Sequence, residues 1–195
     1  MSKGDQTRTA ILDDAIDIAS KIGFGALTIG MLAEQAEMSK SGLFAHFKSK
    51  EQLQLQTLEH GRQRFVDVVL RPALTTPRGE ARVRALIDHW LRWADDTLSG
   101  GCVFAGASAE LDDQPGPLRD ALVRNQRDWL ELIANVAQTA VAEGDFRPDL
   151  DAEQFAFDFH GITLAYHHAS RLLRDPSAGD RIRRSFENLL AAARA

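Results

Sequence analysis

The chain of 195 residues carries 28 acidic and 23 basic side chains, for a net charge of −5, and 44% of its residues are hydrophobic. This composition is typical of a folded globular protein and excludes bulk disorder, collagen and coiled-coil rods. No apolar run approaches the roughly 18 residues of a membrane span, and the first residues lack the apolar segment of a secretion signal. We therefore expect a cytoplasmic protein without membrane contact.

Helical periodicity dominates the chain and predicts an all-α fold, because apolar residues recur every three or four positions. The first helix is expected from about Thr7 to Ile22 and ends at Gly23-Phe24-Gly25. Its predicted apolar face comprises Ile11, Ala15, Ile18, Ala19 and Ile22.

Three helices with recognisable N-caps are expected next. The predicted N-cap residues are Thr28, Ser39 and Ser49. The residues expected to be buried in the first of these helices are Ile29, Leu32, Ala33 and Ala36, and a turn at Glu37-Met38 follows. Leu43 and Phe47 of the next helix point inward. Gln52 completes a capping-box pattern with Ser49.

Five longer helices are expected after these, separated by strong breakers. The breakers are Pro72, residues 75–77, Gly100-Gly101, residues 112–117 and Gly144. The predicted helices cover about 79–98, 102–111, 117–143 and 151–174, and the last ends near Ala193. The change from short to long helices predicts an N-terminal three-helix domain over residues 1–50 and a C-terminal helical bundle over residues 51–195.

The second and third predicted helices, joined by a short turn, describe a helix-turn-helix. Residues 39–50 form a basic island, since they include Lys40, Lys48 and Lys50 and no acid. Side chains at the start of the second helix of such a motif reach base edges in the major groove. The spacing alone leaves an ordinary bundle of short helices open.

The residues from Thr9 to Leu53 resemble a known family, and this resemblance favours the helix-turn-helix over an ordinary bundle. The strings Leu27-Thr28-Ile29 and Ser39-Lys40-Ser41-Gly42-Leu43-Phe44-Ala45-His46-Phe47-Lys48-Ser49-Lys50 resemble the N-terminal domain of the tetracycline-repressor (TetR) family of bacterial regulators. Beyond Leu53 the resemblance is one of architecture only, to a helical domain that binds ligand and forms dimers.

The resemblance implies which residues contact DNA. The implied base-facing residues are Lys40 and Ser41, with Ser39 beside them and Gly42 permitting close approach of the backbone. The implied phosphate contacts are Thr28, His46 and Lys50. Phe44 departs from the commoner tyrosine of the family: it keeps the ring that packs on the DNA backbone and lacks the hydroxyl. One lost hydrogen bond of this kind costs on the order of 1 kcal/mol.

The eighth predicted helix has two apolar stripes, whereas a helix of a small monomer usually needs one. The first stripe comprises Phe155, Phe159, Ile162, Tyr166, Ala169 and Leu173. The second comprises Phe157, Gly161, Leu164, Ala165, His168 and Leu172. We expect a homodimer, and the alternative is a helix at the centre of a monomeric bundle. The predicted dimer interface comprises Phe157, Gly161, Leu164, His168, Leu172, Ile182, Phe186 and Leu189.

A small-molecule site is expected among the aromatic residues of the C-terminal bundle, where plain core packing is the alternative. The predicted ligand-binding residues are Trp90, Trp93, Phe104, Asn125, Trp129, Phe159 and Tyr166. Paired arginines or lysines do not occur on these inner faces, so we expect a mostly apolar effector. Asn125 is a lone amide on an apolar stripe, which needs a polar partner.

The expected function is a ligand-responsive transcriptional regulator, a repressor that a small molecule releases from a near-palindromic double-stranded DNA operator. A two-fold dimer places two recognition helices on successive major grooves. The alternative is a sensor of redox state or metal through Cys102 or His160, His167 and His168, against a buried inert thiol and ordinary surface histidines. The usual motifs of hydrolases, nucleotide-binding proteins and metalloenzymes are absent, so we expect no enzymatic activity, no cofactor and no metal.

Overall fold

The computed structural model describes residues 3–35 and 39–194, which form nine helical runs. The α-helices are α1 Lys3–Ile22, α2 Ile29–Gln35, α3 Lys40–Phe47, α4 Lys50–Phe65, α5 Arg71–Thr75, α6 Glu80–Arg92, α7 Val103–Leu111, α8 Pro117–Ala142, α9 Ala152–His167 and α10 Ala178–Ala193. Three π-helical segments extend them: Val66–Leu70 between α4 and α5, Trp93–Thr97 after α6, and His168–Leu172 after α9. The all-α prediction is confirmed. Ala36, which was expected to be buried, and the predicted Glu37-Met38 turn lie outside the described residues.

The helical run that begins with α4 passes through Pro72, so the predicted break at this proline is wrong. Pro72 lies in the first turn of α5, directly after the π-helical segment Val66–Leu70, and the first turn is where an α-helix tolerates proline. The run ends at Thr75, and the next residue, Thr76, has an extended backbone (φ −68°, ψ 146°). Pro77 follows directly, and the residue before a proline is biased toward that conformation.

Two compact units divide the chain, and the first comprises Met1–Phe65 and Asp95–Arg124. Within it, α1 packs against α2, α4 and α7. Because three helices cover it, the buried face of α1 is broader than predicted and also includes Leu12 and Ile16. Two residues of the predicted stripe lie at its edge: Ile18 is half-buried and Ile22 is 45% exposed.

The second unit comprises Val66–Ala94 and Asn125–Ala195, and α9 packs along α10 within it. Phe159 is fully buried in the core of the second unit. Its ring centroid lies 5.8 Å from that of Phe186 and 6.0 Å from that of Trp129. Asp151 fixes the start of α9, because its carboxylate accepts hydrogen bonds from the N–H groups of Glu153 and Gln154. The predicted domain boundary at residue 50 stays a prediction.

The length and apolarity of the helices also bear on membranes. Over residues 3–35 and 39–194, no helix combines the length and the apolar character needed to cross a bilayer.

Candidate nucleic-acid interface

The first helix of the predicted motif, α2, begins with a side-chain cap. The N–H group of Met31 donates to Thr28 Oγ1 at 3.2 Å, which satisfies one of the free donors at the helix start. Leu32 and Ala33 are buried, so α2 is anchored to the core through one face. The predicted cap and the burial of both residues are confirmed.

The second helix, α3, is fixed in the same way. Ser39 Oγ accepts a hydrogen bond from the N–H group of Gly42 at 3.1 Å, as predicted for the N-cap. Leu43 and Phe47 are almost fully buried. With one face held in the core, the opposite face of α3 is left to solvent.

That outer face of α3 carries the residues expected to read bases. Lys40 and Ser41 are exposed, and the ring of Phe44 is 55% exposed. The hydroxyls of Ser39 and Ser41 lie 3.2 Å apart. Lys40 passes beside α2, since a methyl group built at Gly30 would lie 3.5 Å from Lys40 Cε. One cationic and two hydroxyl side chains therefore lie together at the start of α3.

The predicted phosphate contacts differ in their accessibility. Lys50 is exposed, and its Nζ donates to the backbone carbonyl of Gly25. His46 is half-buried, with its ring 6.2 Å from that of Phe47. Thr28 is half-buried at the start of α2. All three belong to the first unit, and their role toward DNA stays a prediction.

The junction between α3 and α4 is tight. Lys48 has a left-handed backbone (φ 58°), and its N–H group donates to Phe44 O at 2.9 Å, which closes α3. Ser49 Oγ then accepts from the N–H group of Gln52 at 3.1 Å, as predicted. The Ser49 N–H group donates to Phe47 O at 2.6 Å instead of to the Gln52 side chain, so only half of the capping box forms.

The residues predicted for the dimer interface fall into two groups. Phe157 and Leu172 are each 70% exposed, and Leu164, Gly161 and His168 are exposed too. They lie on α9 and the π-helical segment after it, and a groove of about 900 Å³ separates the outer faces of α9 and α10.

The other predicted interface residues lie deeper. Ile182 and Phe186 are buried in the core of their own unit, and Leu189 is half-buried. Phe186 packs edge-on against Phe159. In the single chain Ile182 and Phe186 therefore offer a partner almost no surface, whereas Leu189 offers some.

The predicted ligand-binding residues are divided between the two units. Trp90 packs edge-on against Tyr166, with ring centroids 6.0 Å apart, and Trp129 packs in the same manner on Phe159. Trp93 is fully buried and Asn125 is half-buried, both in the second unit. Phe104 belongs to the first unit, where its ring lies 5.6 Å from that of Phe65.

The described residues give no support to a redox or metal sensor at the histidines or the cysteine. In the part of the chain that the structure describes, no three His, Cys, Asp or Glu side chains are grouped to hold a metal ion. Burial lowers the pKa of His160, and burial together with Arg171 and His168 lowers the pKa of His167. Cys102 is buried.

The sequence did not predict two residues that hold the reading motif, which is the helix-turn-helix formed by α2 and α3, in place. Glu110 of α7 and Gln54 of α4 bond the backbone of the turn between α1 and α2. Glu110 is separated from its partners by more than 80 positions in the chain. A local pattern carries no signal for such a contact.

The capped helices α2 and α3 contact each other, and α3 presents Lys40 and Ser41 to solvent, as expected of a helix-turn-helix protein. A sequence profile described as "Bacterial regulatory proteins, tetR family" matches residues 11–57, and one described as "Tetracyclin repressor-like, C-terminal domain" matches residues 79–186. The chain therefore belongs to the tetracycline-repressor family of DNA-binding transcriptional regulators. Proteins of this family bind DNA, form dimers and bind ligands, and the family is not one of enzymes.

Individual relatives agree with this assignment. The chain is 24% identical over 178 residues to the HTH-type transcriptional regulator SrpR of Pseudomonas putida. This match covers 91% of this chain and 81% of that protein. It is 23% identical over 164 residues to the HTH-type transcriptional repressor DhaR of Mycobacterium sp. (strain GP1), covering 80% of each. The crystal structure of a TetR-family regulator from Cytophaga hutchinsonii superposes with a TM-score of 0.86 at 18% identity, covering 100% of this chain and 98% of that one.

Proposed function

We propose that the protein is a repressor that binds a near-palindromic operator as a two-fold dimer and leaves it when it binds a small, mostly apolar molecule. The observation that carries the proposal is the exposed face of α3. Its start presents Lys40 and Ser41 to solvent while Leu43 and Phe47 fix the helix from behind. Relatives named as repressors, such as DhaR, support the direction of the effect.

Base recognition is assigned to the start of α3. Lys40 and Ser41 face bases, with Ser39 beside them, and a lysine pairs well with the O6 and N7 acceptors of guanine. Gly42, next along the helix, lets the backbone approach closely. Thr28, His46 and Lys50 hold phosphates, and Phe44 packs its ring on the sugar–phosphate backbone. Phosphate contacts position the protein, while base contacts specify the sequence.

Dimerisation is assigned to the exposed apolar stripe of α9. Phe157, Leu164 and Leu172 lie in solvent in the single chain, and a stripe of this kind on a soluble protein marks a contact surface. A two-fold axis brings the same patch of each subunit together. The dimer then presents two copies of α3 to two half-sites of DNA.

The effector site is assigned to the aromatic residues of the second unit. The ring pairs of Trp90 with Tyr166 and of Trp129 with Phe159 offer apolar walls, and the half-buried amide of Asn125 offers a polar contact. Ligand pockets commonly combine apolar walls with a few polar groups. A ligand that binds one conformation of the dimer better than another shifts the population toward it, and DNA affinity follows.

The proposal is tested by selecting bound fragments of genomic DNA with the purified full-length protein at a stated salt concentration. We expect enrichment of a short near-palindrome whose half-sites are about one helical turn, or a multiple of it, apart. The same selection with a Lys40→Ala, Lys50→Ala double variant is the control. Equal enrichment by that variant, or an enriched site without two-fold symmetry, contradicts the proposal.

Repression and release are measured next on the selected site. With the operator placed over a promoter, addition of protein should lower transcript yield in a purified transcription reaction. Compounds that raise the melting temperature of the protein are then added to this reaction. Those that bind as effectors should restore the transcript, whereas a rise in transcript on adding protein alone contradicts a repressor.

A further inference from the structure

The turn between α1 and α2 is held by a carboxylate from a distant helix. The N–H group of Phe24 donates to Glu110 Oε2 at 2.8 Å, and the N–H group of Gly25 donates to Glu110 Oε1. Glu110 is the next-to-last residue of α7 and belongs with the turn to the first unit. One side chain therefore binds two successive backbone donors of the segment that leads into the reading motif.

The carbonyl groups of the same two residues are held from α4. Gln54 Nε2 donates to Phe24 O at 2.6 Å, and Lys50 Nζ donates to Gly25 O at 2.5 Å. Both peptide N–H groups and both carbonyls of Phe24 and Gly25 thus bind side chains. The Gly25 residue has Glu110 on its N–H side and Lys50 on its carbonyl side.

Glycines make room for this carboxylate. Gly23 has φ +82°, which favours glycine, and a methyl group there would lie 2.6 Å from Glu110 Oε2. A methyl group at Gly25 would lie 2.8 Å from Glu110 Oε1. A side chain at either position would displace the carboxylate, so the turn sequence and Glu110 fit each other.

We propose that Glu110 is a positioning residue for DNA recognition, which places the Lys50 ammonium for its phosphate by fixing the backbone at Gly25. This inference rests on the proposed function, in which Lys50 binds a phosphate. The route runs from the carboxylate to the Gly25 N–H group, through the Gly25 Cα to the carbonyl of the next peptide unit, and from there to Lys50 Nζ. Glu110 itself stays within the protein and does not touch DNA.

For the change in DNA affinity when Glu110 is removed, long-range electrostatics predicts the opposite sign. Removal of an acidic side chain from a protein that binds a polyanion raises DNA affinity in general. If Glu110 places Lys50, its removal instead lowers the affinity, because the ammonium loses its fixed position. The sign of the change alone separates the two effects.

The test is a double-mutant cycle on the full-length protein with its selected operator. Glu110→Ala and Lys50→Ala should each weaken binding about fivefold, which corresponds to one lost hydrogen-bonded contact of about 1.0 kcal/mol. Each should also lower the slope of log affinity against log salt by about 1. The double variant should bind no more weakly than Lys50→Ala alone. An additive loss of about 25-fold shows independent action and overturns the inference.

Two further variants separate positioning from stability. Gly25→Ala places a methyl group against Glu110 Oε1 and displaces the carboxylate from the turn. This variant should show the same smaller salt slope as Glu110→Ala. Asp113→Asn removes an exposed acid just beyond α7 and should leave the slope unchanged. Thermal unfolding is measured to check that every variant is folded at the assay temperature. A folded but merely destabilised protein keeps its full salt slope, so a smaller slope reports the position of Lys50. Wild-type protein that selects no operator contradicts the proposed function, whereas a Glu110→Ala variant with unchanged or tighter binding contradicts only this inference.

Discussion

Lys40 and Lys50 carry the same charge but occupy different places in the reading motif. Lys40 stands at the start of α3, and Lys50 opens α4 beside the turn that precedes α2. Lys50→Ala should weaken binding to every DNA sequence and lower the salt slope by about 1. Lys40→Ala should instead relax the preference at one base pair, worth about 1–3 kcal/mol.

Both lysine variants are measured by titrating the operator and a scrambled duplex at several salt concentrations. The scrambled duplex is the internal control, because only a phosphate contact acts equally on both. An unchanged salt slope for Lys50→Ala would show that its ammonium does not bind a phosphate. An equal loss on both duplexes for Lys40→Ala would move that residue from the bases to the backbone.

Phe44 gives a second prediction for a single residue. Its ring is largely exposed, so a change at its edge leaves the core of the first unit intact. Phe44→Tyr supplies the hydroxyl that the resemblance associates with a phosphate contact, and binding should tighten by about 1 kcal/mol, or roughly fivefold. Phe44→Leu is the companion variant and should weaken binding, because it removes the ring. If tyrosine brings no gain, the ring edge does not face a phosphate.

At the scale of the element, the helix caps could be predicted, but the course of the chain at Pro72 could not. The caps at Thr28, Ser39 and Ser49 depend on residues three positions apart, and all three form. Pro72 was expected to break the chain, but the π-helical segment before it sets the proline in a first turn. The accepted conformation of a proline depends on the hydrogen bonds of the turn around it, which a sequence pattern does not specify.

An ion network ties the start of α6 to the end of α10 and predicts a pH dependence. Glu80 accepts hydrogen bonds from Arg194 at 2.7 Å and from Arg84 at 2.8 Å, and Arg84 also pairs with Glu187. The Arg194 hydrogen bond is the largest cause that lowers the pKa of Glu80 to about 2, and Arg84 adds to it. A carboxyl with a lowered pKa in the folded state stabilises the protein above its ordinary pKa, and this stabilisation is lost as the pH falls toward 2.

The variant that tests the network is Glu80→Gln. At pH 7 it should lower the free energy of unfolding by about 1 kcal/mol, because the partners are partly exposed and the pair is screened. The difference between wild type and variant should shrink as the pH falls from about 4.5 toward 2, as measured by urea denaturation. Asp149→Asn, which alters an exposed pair with Arg147, is the control and should change stability little. A difference that stays constant over this pH range contradicts the network.

For the whole molecule, the order of helices could be predicted, but the long-range contacts that join distant segments could not. Residues 95–124 join the N-terminal helices in one unit, through contacts such as the Ser99 N–H group on Asp17 and the Gly100 N–H group on Ser20 Oγ. Each contact spans about 80 positions in the chain. Single side chains that bond a distant backbone leave no periodic trace, so the same limit that hid Glu110 also hid the composition of the unit.

The dimer interface that we propose on the apolar stripe of α9 can be tested by one substitution. Phe157 is 70% exposed in the single chain, so Phe157→Glu should leave folding intact. In a two-fold interface the substitution acts twice, and an unpaired charge buried there costs several kcal/mol. We expect a monomer in sedimentation equilibrium and a large loss of affinity for the near-palindromic operator, while salt-dependent binding to a single half-site persists. Leu74→Glu, an exposed leucine of α5, is the matched control and should remain a dimer with full operator affinity. A dimeric Phe157→Glu variant would place the interface elsewhere on the molecule, and the second apolar stripe of α9 would then need another partner.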